Sequence, residues 1–306
     1  MTSAAHPFSV VARGLRFPEG PVAMADGSVV LTEMFGGCLT RVHPDGTTSK
    51  VADIDGGANG LAVGPDGAFY LCNNGNAFTP VENGDLLYPG PFDPDRYIGG
   101  RIQRVDPVTG EVRDLYTRGE HVELRAPNDI VFDAAGGFWF TDHGIRHGRV
   151  SDRTGIWYAT IDGTRIDEMI FPVDSPNGIG LSPDGSRLYW AETSTGRIWE
   201  RDLAAPGAPD PGSGPRVLCG LPGHQLLDSL AVDGDGNVCV ATLVNGCITV
   251  VSPSGDIVAQ HPTGDRITTN ICFGGPDHST AYVTASSTGT LLAMRWPGKG
   301  LRLHWQ

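Results

Sequence analysis

The stretch NGLAVGPDGAFYLCN, residues 59–73, holds two short runs of strand-forming residues around an Asp-Gly turn. A run, a tight turn and a second run are typical of a β-hairpin. The pattern recurs without gaps at NDIVFDAAGGFWFTD (128–142), NGIGLSPDGSRLYWAE (177–192) and DSLAVDGDGNVCVAT (228–242), and more weakly from Glu19 and Asn270. Repeats of four-stranded units about every 40–50 residues indicate propeller blades. These copies therefore predict an all-β fold, a six-bladed β-propeller.

Every copy begins with a carboxylate or an amide side chain. We call these first residues the anchors: Glu19, Asn59, Asn128, Asn177, Asp228 and Asn270. Behind them apolar and small residues alternate, as Leu61 and Val63 do with Gly60 and Ala62. A period of two indicates a strand with one packed face, and small residues favour the crowded innermost strand of a blade. We therefore expect the anchors to converge at one end of the central channel.

Length and charge limit the fold and the partners. The 306 residues suit one propeller domain, 1–306, of six blades with about 50 residues each. A net charge of −13 argues against binding of nucleic acid or anionic lipid, which need clustered Lys and Arg. No run of 18 or more apolar residues exists, so we expect no membrane span.

The start of the chain and its cysteines predict a cytoplasmic protein. MTSAAHPFSVVARG (1–14) lacks a charged region followed by an apolar core, so we expect no secretory signal. The six cysteines show no paired spacing such as C-x-x-C, which favours a reduced protein. Cys72, Cys239 and Cys272 lie in predicted strands, where we expect them to pack as small apolar side chains.

Two segments depart from the plain repeat. The anchors are 40–51 residues apart except between Asn59 and Asn128, where the distance is 69 residues. The excess lies largely in 74–100, which carries several aromatic residues and predicts a lid or pocket wall; a solvent-exposed excursion is the alternative. FSVVARGL (8–15) reads as a strand without a hairpin partner. We expect it to join the last blade as an outer strand beside strands from 281–306, so that the N-terminal and C-terminal strands close the ring.

Five motifs give the chain a family resemblance. They are FPEGPV (17–22), APNDIVFD (126–133), SPNGIGLSPDG (175–185), LLDSLAVD (226–233) and TNICFGG (269–275). In this order, over nearly the whole chain, they resemble the gluconolactonase or regucalcin-like family, also named after senescence marker protein. The resemblance implies a six-bladed propeller with one divalent metal ion, often calcium, in the channel, and hydrolysis of lactones. It also implies that Glu19, Asn177 and Asp228 bind the metal, and that Asn128 contacts metal or substrate.

The chemistry of these four anchors agrees with a calcium site. Two carboxylates and two amide oxygens are hard ligands, and calcium accepts six to eight oxygens in irregular geometry. Manganese, zinc and magnesium are alternatives, although zinc prefers His or Cys. HGIRH (143–147) places two His four residues apart, but no third ligand accompanies them. We therefore predict one divalent ion, most simply Ca²⁺, held by Glu19, Asn128, Asn177 and Asp228.

The predicted reaction is hydrolysis of a lactone or related ester by metal-activated water in the channel. A divalent ion polarises a carbonyl and lowers the pKa of bound water. Asp228 is the candidate general base and Glu19 chiefly a ligand at the same catalytic centre; Asp228 as a ligand alone is the alternative. The candidates for substrate contact are Asn59, Arg125, His143, His224 and Asn270.

The substrate is less constrained by the sequence. Sugar-lactone members of the family resemble one another in an Arg at the position of Ala126, so this chain departs from them there, although Arg125 is adjacent. The aromatic residues of 74–100 suit a more apolar ring. Three other functions stay open: organophosphate triester hydrolysis at the same metal, a non-catalytic calcium- or peptide-binding propeller, and a strictosidine-synthase-like condensing enzyme. Retention of the four metal anchors counts against the last.

Overall fold

Six antiparallel sheets, each with four main strands, surround a central channel in the computed structural model of the protein. The structure describes residues 7–305. The first six residues, part of the start in which we expect no secretory signal, and Gln306 lie outside the described residues. Within 7–305 no helix is long and apolar enough to cross a membrane.

The first strand, β1 (Ser9–Ala12), belongs to the last blade. Blade 1 consists of β2 (Pro18–Ala23), β3 (Val29–Glu33), β4 (Cys38–Val42) and β5 (Thr48–Asp53). Blade 2 begins with β6 (Ala58–Val63) and β7 (Phe69–Asn73), continues through an inserted hairpin of β8 (Thr79–Asn83) and β9 (Leu86–Gly90), and ends with β10 (Arg101–Val105) and β11 (Val112–Tyr116). Blade 3 contains β12 (Pro127–Phe132), β13 (Gly137–Asp142), a short hairpin of β14 (Arg146–His147) and β15 (Val150–Ser151), then β16 (Thr154–Thr160) and β17 (Ile166–Val173).

Blade 4 contains β18 (Pro176–Leu181), β19 (Arg187–Glu192), β20 (Arg197–Ala205), β21 (Ala208–Pro209) and β22 (Arg216–Gly220). Blade 5 contains β23 (Leu226–Val232), β24 (Val238–Leu243), β25 (Cys247–Val251) and β26 (Ile257–Pro262). Blade 6 contains β27 (Thr268–Gly274), β28 (Thr280–Ala285) and β29 (Thr290–Arg295), with β1 as its outer strand.

The innermost strands form a closed ring, which confirms the prediction of a six-bladed propeller. They are β2, β6, β12, β18, β23 and β27, and each packs against the next, with β27 against β2. Every anchor is the second or third residue of one of these strands. The anchors thus lie at one end of the channel and the Asp-Gly turns at the other.

The predicted ring closure is also confirmed. Strand β1 pairs antiparallel with β29, with Ser9 opposite Ala293 and Val10 opposite Leu292. Phe8, just before β1, is buried in the apolar cluster of blades 5 and 6. The pairing gives the last blade its fourth strand and covers a sheet edge that would otherwise be open.

The hydrophobic core lies between neighbouring blades. Trp139 and Ile156 of blade 3 pack with Ile179 and Trp190 of blade 4 in one buried cluster. The cysteine predictions hold within this core, since Cys72, Cys239 and Cys272 are buried in β7, β24 and β27. All six cysteines are unpaired thiols.

The Asp-Gly turns share one backbone conformation. Gly27, Gly67, Gly136, Gly185 and Gly236 have φ between 69° and 84°. His278 fills the same position in the sixth copy with φ 54°, a left-handed conformation that L-residues avoid. The sixth hairpin therefore keeps its turn geometry without the glycine.

This difference predicts opposite effects for two substitutions. A Cβ added at Gly185 would meet no atom within 4 Å, so Gly185→Ala introduces backbone strain alone. We expect it to lower the free energy of unfolding by about 1 kcal/mol, and His278→Gly to raise it by about 0.5–1 kcal/mol. Urea unfolding measures both. Equal stability of wild type and both variants would contradict the assigned turn conformations.

An apolar cavity of about 90 Å³ occupies the channel between the anchors and the turns. Its walls include Leu61, Ile130, Ile179 and Leu230, and Asp129 and Asn270 border it on the anchor side. The C-terminal segment lines it on the turn side, where Trp305 Nε1 donates a hydrogen bond to Asp133 O at 3.0 Å. The anchors therefore lie between this cavity and the opposite mouth of the channel, which we call the anchor-side mouth.

Candidate functional site

A β-bulge accompanies every anchor. In β12, Pro127 pairs with Asp142 and Ile130 with Phe140, so three steps on the inner strand match two on its neighbour. The other inner strands show the same kind of register shift at or beside their anchors. A bulge bends the strand and re-aims its side chains. A repeated distortion of the backbone thus presents the anchors, which are only 3–9% exposed, at the channel centre.

Glycine follows three anchors because the inner strands approach each other closely there. A Cβ at Gly20 would lie 2.5 Å from Asn59 O, and one at Gly60 would lie 2.5 Å from Asn128 O. One at Gly178 would lie 2.4 Å from Leu230 N. Real Cβ atoms do not come this near to backbone atoms, so glycine is required at these three positions.

Hydroxyl groups from the preceding blade fix three of the anchor strands. Thr32 Oγ1 donates to Asn59 O at 2.7 Å, and Thr141 Oγ1 donates to Asn177 O at 2.6 Å. Ser286 Oγ donates to Pro18 O, next to Glu19, at 2.6 Å. Because donors and acceptors are on different blades, these bonds set the position of each anchor relative to the next.

The surroundings of the two anchor carboxyl groups disfavour their ionised form. Burial raises the pKa of Glu19 well above its ordinary value, and the charges of Asp228 and Asp129 raise it further. Burial also raises the pKa of Asp228 to about 7, with Asp129 adding to the shift and a hydrogen bond with Asn177 opposing it. Among the residues that the structure describes, the centre therefore has no positive group of its own that would stabilise both carboxyl groups in their charged form.

Two buried oxygens at this centre fit a cation. Glu19 Oε2 and Asn128 Oδ1 have no hydrogen-bond partner within residues 7–305. Buried acceptors without a donor are costly, so unpaired oxygens of this kind point to an ion or a ligand. No cluster of three or more His, Cys, Asp or Glu side chains with metal-site geometry occurs in the described part of the chain. The donors here are two carboxylates plus amides, a set that suits a hard ion such as calcium.

Asp129 is a further acidic residue at the centre that the sequence reasoning missed. It stands where other inner strands have Gly20, Gly60, Gly178 or Ser229, and it is 6% exposed. Its carboxylate accepts hydrogen bonds from Ile130 N at 3.0 Å and, across the blade boundary, from Ile179 N at 3.4 Å. Burial raises its pKa to about 7. An acid in place of a small residue directly after an anchor was the available signal.

The remaining anchors are already engaged. Asn59 Nδ2 lies 4.0 Å from Met34 Sδ, and Asn270 Oδ1 accepts a hydrogen bond from Ile271 N at 2.8 Å. Asn177 Nδ2 donates to Thr193 Oγ1 at 3.2 Å. All three side chains lie among the anchors at the end of the channel. Contact of Asn59 and Asn270 with a substrate stays a prediction.

Two of the three predicted substrate-binding residues outside the anchors, Arg125 and His143, lie beside the inserted segment. Arg125 Nε pairs with Asp152 Oδ2 at 2.8 Å, and its guanidinium lies 5.6 Å from the Tyr97 ring centroid, so it is held beside the mouth. His143 is half-buried next to Ala126, and burial lowers its pKa. His224 is exposed in the loop before β23. His143 also lies beside the inserted segment, 5.8 Å from the Phe78 ring, as Arg125 does beside Tyr97.

Comparisons with known proteins agree on one family. A family model described as the SMP-30/Gluconolactonase/LRE-like region matches residues 17–287. A gluconolactonase of Zymomonas mobilis is 25% identical over 92% of this chain and 79% of its own length. The lactonase drp35 of Staphylococcus aureus is 27% identical over 85% of this chain and 74% of its own length. The crystal structure of regucalcin from Agrobacterium tumefaciens, a calcium-binding protein, has a TM-score of 0.76 at 19% identity and covers 98% of both chains, which shows the shared fold.

Proposed function

Because this chain belongs to the SMP-30/gluconolactonase/LRE-like family, we propose that it is an enzyme that opens lactones by hydrolysis at the anchors. One observation carries the proposal beyond family membership. Two anchor carboxylates are buried, and within residues 7–305 one oxygen each of Glu19 and Asn128 has no hydrogen-bond partner. The relatives named gluconolactonase and lactonase support the reaction class.

We propose that Glu19, Asn128, Asn177 and Asp228 hold one divalent ion, with calcium as the first candidate. When bound, such an ion supplies Lewis-acid polarisation of the ester carbonyl. The residues themselves provide the negative charge and the oxygen donors. All four residues are buried, so they have little contact with bulk water.

Asp228 is the proposed general base. It is the most exposed anchor, at 9%, and it is hydrogen-bonded with Asn177, which orients its carboxylate. As a water oxygen attacks the carbonyl carbon, Asp228 accepts the proton of that water. The ring C–O bond then breaks, and Asp228 returns the proton to the leaving alkoxide, so the product is a hydroxy acid. Glu19, at 3% exposure, contributes charge and position at the same centre.

The proposal is tested by a pH-stat assay of purified protein on a panel of lactones, linear esters and a phosphate triester. We expect base uptake with lactones above the rate of spontaneous opening, and slower or no reaction with the triester. Hydrolysis of the phosphate triester at a higher rate than that of every lactone would favour organophosphate hydrolysis at this site. No reaction with any compound, in protein shown to contain calcium, would favour a non-catalytic calcium-binding propeller.

Partners and location follow as further proposals. A lactone or ester is the expected small-molecule partner, and the acidic surface gives no reason to expect nucleic acid or membrane. The six unpaired thiols support the predicted cytoplasmic location, since disulfides are rare in that compartment.

A further inference from the structure

The inserted segment, residues 74–100, spans the anchor-side mouth. It leaves β7 at Asn73, which pairs with Ala58 beside the anchor Asn59. Its hairpin reaches blade 6, where Leu87 N donates to Ser287 O at 2.9 Å. Its far end reaches blade 3, where the Tyr97 hydroxyl donates to Arg125 O at 2.6 Å. A segment that starts in blade 2 is thus fixed on both sides of the mouth.

One side of this mouth is apolar. We call the cluster formed there by the insertion and by blades 1 and 6 the apolar rim; it comprises Phe17, Met34, Phe35, Phe78, Leu87 and Ile267. Phe35, Phe78 and Ile267 are half-buried and retain exposed surface. Met34 Sδ lies 3.3 Å from Asn74 Nδ2 and 4.0 Å from the anchor amide of Asn59. The apolar rim therefore reaches the anchors.

The facing side, on blades 3 and 4, is polar. Ser175 Oγ donates to Ser194 Oγ at 2.7 Å, and Arg146 lies 3.8 Å from Asp174. Two arginines on this side are paired with carboxylates, Arg146 with Asp174 and Arg125 with Asp152.

The position before the third anchor strand offers no polar group. Ala126 is completely buried and packs with Ala77 of the insertion and with Ile145. A substrate rich in hydroxyl groups would therefore meet aromatic and thioether surface on one side. Its hydroxyl groups would lose water there without gaining hydrogen bonds.

We infer that the substrate is a lactone bearing an alkyl or aryl group, which packs against the apolar rim while its ester lies toward Asn177 and Asp228. This inference rests on the proposed lactonase function. It assigns the specificity to Phe78 in particular, since this ring joins the apolar rim to the blade 3 side through its contact with His143. The insertion then selects the substituent, and the anchors act on the ester that all substrates share.

The test compares two six-membered lactones, one with a pentyl substituent and glucono-1,5-lactone with hydroxyl groups. Contact of one or a few methylenes with an apolar pocket changes kcat/KM by about 10–200-fold. We expect kcat/KM to favour the pentyl lactone by at least about tenfold. A preference for the polyhydroxylated lactone would overturn the inference.

Variants of the insertion locate the effect. A third substrate, δ-valerolactone, is the same six-membered ring without a substituent. Phe78→Ala should lower kcat/KM for the pentyl lactone at least about tenfold and for δ-valerolactone less than about threefold, while Phe78→Leu should keep most of the preference. Val81→Ala is the matched control, because Val81 is in the same hairpin but 43% exposed and outside the apolar rim. Equal losses of kcat/KM on the pentyl lactone and on δ-valerolactone in Phe78→Ala would overturn the assignment.

A binding measurement separates this inference from the proposed function. The pentyl lactam of the same ring size is an amide analogue that the enzyme does not hydrolyse. Calorimetry measures its binding directly. If no lactone is opened but the lactam binds and Phe78→Ala weakens it at least about tenfold, the hydrolase proposal fails and the apolar rim stands. If lactones are opened but the lactam does not bind, the apolar rim is not the binding surface.

Discussion

Removal of the bound ion is expected to abolish lactone hydrolysis, and calcium or manganese is expected to restore part of it. The reason is that the anchors supply oxygen donors and excess negative charge but no cationic side chain to stabilise the developing oxyanion. A chelator titration with lactone opening as the readout measures this effect. Full activity in protein shown by elemental analysis to be metal-free would contradict the proposed centre.

Stability provides a second readout of the same centre. Calcium that binds only the folded state stabilises it by about 2.7 kcal/mol at 100 times its Kd, so calcium should raise the Tm of chelator-treated protein. Glu19→Gln is the test variant because it keeps the shape of the side chain but removes an ionisable group. Because the pKa of Glu19 is raised in the fold, this carboxyl group lowers the stability of the metal-free protein at pH values above its ordinary pKa, where the unfolded chain ionises it freely. Glu19→Gln should therefore stabilise the metal-free protein and reduce the calcium response.

Asp228→Asn is expected to lower turnover by at least about 10²-fold even at saturating metal, since general-base catalysis contributes typically 10²–10⁴-fold. The substitution keeps a side-chain oxygen of similar reach but removes the charge and the ability to take a proton. Turnover is measured at metal concentrations for which calorimetry shows full occupancy.

Asn177→Asp is the contrasting variant, because it adds charge beside the ion and should preserve occupancy. Near-normal turnover of Asp228→Asn at full occupancy would make Asp228 a ligand only. Glu19 would then become the first candidate for the base, since it is the other carboxylate among the anchors.

The repeat made the architecture predictable from the sequence. Each hairpin is local, and the turn glycines, the alternation behind Asn59 and the unpaired strand at 8–15 each follow from short-range patterns. The structure confirms the innermost position of the anchor strands and the pairing of β1 with β29. Even His278, which breaks the glycine pattern, keeps the conformation of its turn.

The details of the site depend on contacts between distant residues and were less predictable. The bulges at the anchors arise from pairing between strands, and a bulge leaves no fixed residue type in one sequence. Arg125 was a candidate for substrate contact, but it pairs with Asp152, which lies 27 residues later on a hairpin of blade 3. The insertion was expected to wall the mouth, but its attachment to Ser287 in blade 6 depends on ring closure.

Calorimetric titration of chelator-treated protein with calcium tests the central claim most directly, because the claim is that the anchors form a cation-binding centre. The account predicts about one ion per chain, with affinity reduced at least about tenfold in both Glu19→Gln and Asp228→Asn, since each variant removes one of the two anchor charges. Val81→Ala, outside the centre, should bind as wild type does. Absence of calcium binding, or binding that neither charge-removing variant weakens, would contradict the account.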